Sequence, residues 1–272
     1  MLNLSIEEKK TIEQQRQMLV YKSNDLIQKS RYDLTLQEQK LILYLISKIQ
    51  PTDDDFKFYE FDLKELCNLL LIQTAGTNYE RFKNSINSLH KKNLWIDTPT
   101  SQMLVHWIET VKINKGDTKV SIKLNAELKP FLLNLKEYFT SYILEEIIYL
   151  NSIYAIRLFE LLFSYKNQKE LIISVDDLKE KFCIKNKYKS FKDFRIKVLE
   201  KAVAEINDKT KLIVSYKTIK ESRSIKYIHF YFDELDDFLV SNIDKKRNQL
   251  KGQYTLDNVL KIQKQREKQN HE

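Results

Sequence analysis

Glycine is scarce: Gly76, Gly116 and Gly252 are the only three in 272 residues. A phosphate-cradling Walker loop needs two glycines five apart, the second followed by Lys and then Ser or Thr. A dinucleotide fingerprint needs three glycines close together, so that backbone amides can approach phosphates. Neither can be assembled, which excludes an ATP-dependent helicase or loader built on such a loop. Histidine is equally thin. His90, His106, His229 and His271 show no His-x(3–5)-His spacing, and no two stand one residue apart as a metal-dependent nicking site requires, although 15 tyrosines are present. No Gly-x-Ser-x-Gly elbow occurs. Two cysteines, Cys67 and Cys183, cannot make a four-cysteine zinc site. Each falls in an apolar helical pattern and reads as a buried free thiol. No apolar run approaches the ~20 residues of a membrane span, and the first ten residues mix apolar with charged side chains. The expectation is a cytoplasmic chain away from membranes, with no catalytic residues, metal or cofactor.

What is present points elsewhere. Hydrophobic residues make up 42% of the chain, enough for real cores. The length suits two domains. Lys and Arg total 46 against 38 Asp and Glu, a net charge of +8. That sign fits a polyanionic partner, nucleic acid first and an acidic membrane surface second, and it equally fits a merely basic protein. The acidic run Asp53, Asp54 and Asp55 reads as a solvated loop.

The two halves repeat one order of elements. In the first, 34–49 is a helix with Thr35 as cap and Glu38 as capping-box partner, and Leu41, Tyr44, Leu45 and Ile49 lie on one face. A strand at 56–62, a short helix capped by Asp62 and a third helix at 78–92 follow. Strands at 94–96 and 103–114 come next, the second turning back through 119–124 as a hairpin. In the second half a helix at 152–165 precedes a strand at 171–175, a short helix from Asp177, a helix at 190–208 and a hairpin over 212–232. Asp62-Leu63-Lys64-Glu65 matches Asp177-Leu178-Lys179-Glu180. Tyr79, Phe82 and Lys83 match Tyr188, Phe191 and Lys192, and Leu94-Trp95-Ile96 matches Leu212-Ile213-Val214 in type. Helix, strand, helix, helix, hairpin is the winged-helix order. The fold expected is α+β, two tandem winged-helix domains related by internal duplication. The divisions are an extension at 1–19, domains at 20–136 and 137–235, and a basic tail at 236–272.

In such a module the third helix enters the major groove. In the first module Phe82, Ile86, Leu89 and Asn93 mark the inward stripe, and Arg81, Lys83, Asn84, Asn87 and Lys91 flank or oppose it. Those types pair with guanine, phosphate and adenine, though an ordinary solvated face looks the same. In the second module 185–197 holds six Lys and Arg against one Asp. Lys187, Lys189, Ser190, Lys192, Arg195 and Lys197 are its candidate contacts. Phe194, Val198, Ala202 and Ile206 form the inward stripe, and Phe191 and Phe194 read as core. Ser190 caps the helix. Arg195 lies near the stripe and reads either as a DNA contact or as a structural residue. Lys115, Lys220 and Arg223, with Lys112, Lys119, Lys217 and Lys226, put cations on the hairpins, where backbone contacts position a protein without reading sequence. The tail from 241 onward carries eight Lys and Arg and four acids.

Several stretches in order resemble a known family: Tyr21-Lys22-Ser23-Asn24-Asp25-Leu26-Ile27, Tyr32-Asp33-Leu34-Thr35, Glu38-Gln39-Lys40-Leu41, then Leu150-Asn151-Ser152-Ile153-Tyr154-Ala155-Ile156-Arg157-Leu158-Phe159-Glu160-Leu161-Leu162, and Asp193-Phe194-Arg195 through Val198-Leu199 to Glu205-Ile206-Asn207. Over about 20–232 the chain resembles the replication initiator (Rep) family of iteron-containing bacterial plasmids. The resemblance implies binding of repeated double-stranded origin sites as monomers, origin opening and recruitment of the host replication initiator and helicase. It also implies a homodimer in equilibrium with the monomer that represses its own gene. The second module's helix at 189–197 then supplies most of the sequence reading, and 62–71 with the hairpin 103–124 are candidate dimer contacts. Two alternatives stand beside it: a winged-helix transcriptional repressor with no replication role, and a DNA nicking enzyme using a tyrosine.

Overall fold

The computed structural model describes residues 6–50, 53–72, 78–113 and 119–235; the basic tail and Lys115 lie outside them. Helix α1 (Ile6–Arg16) precedes strand β1 (Leu19–Ser23). The Ser23 hydroxyl caps the short α2 (Asn24–Gln28), and β2 (Ser30–Arg31) follows. Helix α3 (Leu36–Ser47) starts on the expected capping box: Thr35 Oγ1 accepts from the Glu38 N–H, and Glu38 Oε2 accepts from the Thr35 N–H at 2.8 Å. From Glu38 to Ser47 every residue of α3 is buried, so the helix is enclosed on all sides rather than along one stripe. Strand β3 (Tyr59–Asp62), α4 (Leu63–Leu69) and α5 (Asn78–Leu89) come next.

Four strands complete the first half: β4 (Asn93–Asp97), β5 (Gln102–His106), β6 (Ile108–Ile113) and β7 (Lys119–Leu124). The single strand expected over 103–114 is therefore two. The chain bends at Trp107, whose indole is buried edge-on against Tyr32 with ring centroids 5.0 Å apart. Strand β5 stays with β4 and β2, while β6 crosses to pair with β7 in the sheet β3-β7-β6. The alternation of buried and exposed positions breaks at the bend, where Trp107 and Ile108 are buried in succession and Glu109 is exposed.

A 3-10 turn (Ala126–Leu128) and α6 (Lys129–Leu132) lead to β8 (Phe139–Ile143), which pairs antiparallel with β1 along its whole length. Helix α7 (Glu145–Ile148) precedes α8 (Ile153–Phe163), capped by Ser152. Strand β9 (Glu170–Ser174) and α9 (Val175–Lys181) follow. Then α10 (Phe191–Phe194), a π-helical turn (Arg195–Leu199) and α11 (Glu200–Lys209) run end to end. The hairpin β10 (Leu212–Glu221) and β11 (Ser224–Glu234) closes the description.

The sheets β6-β7-β3 and β10-β11-β9 have the same order, each a wing hairpin joined by the strand that precedes the helix pair. The chain thus carries two winged-helix modules of α+β architecture. The repeat is real, but its register differs from the letter matches. The cap of α9 is Ser174, whose Oγ accepts from the Asp177 N–H at 3.0 Å; Asp177 is not the cap. Asp62 therefore corresponds to Ser174, a spacing of 112 residues. The same spacing relates Leu71 to Cys183, both left-handed with φ 56 and 55. It relates Ile72 to Ile184, whose N–H groups close the helix ends onto Cys67 and Lys179, and Phe82 to Phe194, both fully buried. The two matched tetrapeptide and Tyr/Phe/Lys anchors each miss this register by three residues, in opposite directions. The third anchor fails as well: β10 corresponds to the wing strand β6, and β4 with β5 is an extra hairpin of the first module. Cys67 is buried in α4 as expected, but Cys183 sits past the end of α9 and is exposed.

Candidate nucleic-acid interface

The second reading helix is built as its stripe requires. Phe194, Val198, Ala202 and Ile206 are all buried, and Phe191 is half-buried beside them. Ser190 caps the start, its Oγ accepting from the Asp193 N–H at 3.1 Å and donating to Asp193 Oδ2 at 2.8 Å. That hydrogen bond, helped by Lys197, holds the Asp193 carboxyl below the usual range. Lys187, Lys189 and Lys192 are exposed, and none forms a contact ion pair among the described residues. Lys197 is also exposed, with its Nζ 3.4 Å from Asp193. Arg195 is half-buried, its Nε 3.3 Å from Glu200 Oε1. The helix and the segment leading into it therefore offer three exposed cations with no contact ion pair among the described residues, and two more, Lys197 and Arg195, each beside a carboxylate of its own.

Sequence reasoning missed Ile196, which is exposed amid these cations. Its signal was an apolar residue two positions off the inward stripe. A methyl-bearing group there suits the thymine methyl in a major groove. The π-helical turn at Arg195–Leu199 widens the helix where these side chains project; single π turns recur at functional positions.

In the first module Phe82, Ile86 and Leu89 are buried, but Asn93, expected on the same stripe, lies past the end of α5 at the start of β4 and is exposed; Asn84, Asn87 and Lys91 are exposed and Lys83 is half-buried. Arg81 belongs to α5, with its side chain outside the description. The helix is anchored behind by Ser85 Oγ, which donates to Gln37 Oε1 on the α3 side at 3.2 Å. Strands β10 and β11 meet at a two-residue turn, Ser222 and Arg223, with Ser222 left-handed at φ 56. Lys220 and Arg223 are exposed there. The hairpin tip is thus a tight turn closed by the Glu221 and Ser224 pair.

Between the modules lies α8, buried on every side from Ala155 to Phe163 and packed against α11 and α2. Its polar side chains Arg157, Glu160 and Ser164 recur at helical spacing and face the first module. Glu160 Oε1 accepts from Lys22 Nζ at 2.8 Å and from the Tyr142 hydroxyl at 2.6 Å, and Gln39 Nε2 lies 3.5 Å from Oε2. Burial, then Glu160, pushes the Tyr142 phenol well above its usual range, so it remains a donor. One guanidinium nitrogen of Arg157 donates to the Ser30 carbonyl at 3.1 Å and to the Lys181 carbonyl at 3.0 Å. The guanidinium carbon sits 3.6 Å from the Tyr32 ring centre. Gln28 Nε2 donates to Ser164 Oγ at 3.0 Å.

Among the described residues there is no group of three or more His, Cys, Asp or Glu placed to hold a metal, and no helix long and apolar enough to cross a membrane. Asp53 and Asp55 are engaged by Lys57 and Lys129.

Comparison with known proteins gives the same arrangement. The family model described as "Initiator Replication protein, WH1" matches residues 19–163, and "Initiator Rep protein, WH2" matches 174–232. A replication initiation protein of Escherichia coli is 26% identical over 248 residues, 86% of this chain and 75% of that protein. The PI protein of Escherichia coli is 32% identical over 143 residues, 46% of this chain and 47% of that protein. The crystal structure of Pi initiator protein in complex with iteron DNA superposes with a TM-score of 0.67 at 22% identity, covering 82% of this chain and 99% of that one. With two winged-helix modules, each matched in turn by the corresponding family model, the chain belongs to the replication initiator (Rep) protein family.

Proposed function

We propose that this protein initiates plasmid replication by binding repeated double-stranded origin sites, the iterons, with both modules at once. The observation that carries the reading is the duplicated helix-and-wing unit, whose second copy bears the exposed Lys187, Lys189 and Lys192 beside Ile196. It is supported by similarity over both modules to an initiator solved on iteron DNA. In this reading Lys187, Lys189, Ser190, Lys192, Arg195 and Lys197 contact one half-site. Arg81, Lys83, Asn84, Asn87 and Lys91 contact the other, and Lys115, Lys220 and Arg223 hold phosphates. Opening of the origin, recruitment of the host initiator and helicase, and autorepression by a dimer complete the proposal. The first module suits the dimer contact: Trp95 and Leu104, cross-strand partners on β4 and β5, are both exposed. The protein works by binding, with no bond made or broken by its own side chains.

The test is a protection footprint and competition binding on the native origin. Protection of each repeat over about two helical turns, one per module, is the expected result. Equal affinity for the repeats and for random duplexes would overturn it. Arg195→Ala costs roughly 1–3 kcal/mol of cognate affinity if the side chain reads a base; unchanged binding assigns Arg195 to its ion pair with Glu200.

A further inference from the structure

We infer that Arg157 and Glu160 on α8 form a spacing gauge: they fix the separation and rotation of the two reading helices, and so set the number of base pairs allowed between the two half-sites. The inference rests on the origin-binding reading and goes beyond it, since it assigns spacing selectivity to buried residues outside both reading helices.

A helix enclosed by apolar neighbours is held at least as firmly by methionine or leucine as by a buried ion pair, because desolvation offsets the Coulomb gain. Two charged residues in such a helix therefore call for a reason other than stability. Apolar contacts tolerate small slides. A buried charge does not, since a shift of an ångström or two strands it in a low-dielectric interior. Buried polar groups thus specify register.

The partners of these two residues reach both reading helices. Glu160 gathers Lys22 of β1, Gln39 of α3 and Tyr142 of β8. Helix α3 carries α5, packing against it and held by the Ser85 to Gln37 hydrogen bond. On its other side α8 packs against α11, the continuation of the second reading helix. Arg157 closes a second route, with a single nitrogen joining Ser30 of β2 to Lys181 at the end of α9. Strand β2 pairs with β4, and Lys181 Nζ donates back to the Gln28 carbonyl. The joint is held from both directions by directional bonds.

DNA makes such rigidity selective. One inserted base pair displaces the far half-site by about 3.4 Å and rotates it by roughly a tenth of a turn. A clamp of fixed geometry cannot follow both motions.

The experiment measures equilibrium binding of the full chain to duplexes carrying the native repeat, and to versions with one base pair added or removed between the footprinted half-sites. Wild type is expected to lose about tenfold or more on either change. Arg157→Lys and Glu160→Gln keep the fold by circular dichroism and flatten that penalty to less than about threefold. Lys192→Ala weakens binding to all three duplexes by one factor and keeps the wild-type ratio. If Arg157→Lys fails to fold, Glu160→Gln, which keeps the side-chain shape, carries the test. A full wild-type penalty in the folded variants overturns the gauge, as does a wild-type chain indifferent to spacing. A wild-type chain that does not distinguish its repeat from a scrambled duplex overturns the origin-binding reading instead.

Discussion

Lys40 is buried in α3, with its ammonium donating to the Ile148 carbonyl. Burial, the dominant influence, lowers its pKa from 10.5 to about 8. The unfolded chain keeps this proton up to about pH 10.5, while the folded chain gives it up above about 8. Between those values the unfolded state binds more protons, so stability rises with pH. Burial of Cys67 acts in the opposite sense above pH 9, because it raises that thiol to about 11. The measurement is therefore a difference: urea unfolding of wild type and Lys40→Met from pH 7 to 10. Wild type should gain about 2 kcal/mol relative to the variant across that range. A flat difference would mean that the Lys40 amine is hydrated. The sequence marks α3 as amphipathic through Leu41, Tyr44 and Leu45, but a lysine in that run reads as solvated. Only the fold, which brings the Ile148 carbonyl to it from 108 residues away, makes Lys40 an interior residue.

At the scale of elements, local chemistry spanning four residues or fewer was legible where a single signal stands alone. The Thr35–Glu38 box and the Ser190 cap are set by one side-chain oxygen reaching an amide two or three residues on. The Phe194 stripe is set by helical period. Ser190→Ala should cost about 1 kcal/mol in unfolding free energy. Ser190→Asp should recover only part of that stability, because it caps again but sets its carboxylate against that of Asp193, and it should bind origin DNA more weakly than wild type if the helix start meets phosphate. Wild-type affinity in Ser190→Asp would separate the helix start from the DNA. The elements misread are those where two local signals compete. Asp177 looks like the counterpart of Asp62 by letter, but Ser174 lies three residues earlier, at the strand end where the chain turns, and takes the amide. At Trp107 apolar residues on both sides of the bend read as one strand, although the adjacent buried pair Trp107 and Ile108 breaks the period where the chain changes sheet.

For the molecule as a whole, a net charge of +8 with exposed cations on a wing tip and a reading helix predicts binding that weakens steeply with salt. Arg223→Ala should weaken binding to repeat and random duplexes alike and reduce the slope of log affinity against log salt by about one. A loss confined to the repeat would place Arg223 on a base. The sign of that charge and the lack of any nucleotide-binding loop are written in composition, most of the inward stripes in short-range period, and the doubling of the module in the order of elements. How the two modules are joined is not. Lys22 meets Glu160 across 138 residues, and Arg157 meets Ser30 across 127. Period tells which face of a helix is covered and is silent on what covers it. The charged pair in α8 reads as an interruption of an apolar run until tertiary packing brings its partners from β1, β2, α3 and β8. That choice of partners belongs to the folded chain, because a buried charge is stable only where the whole fold delivers its counter-charge and hydrogen bonds together.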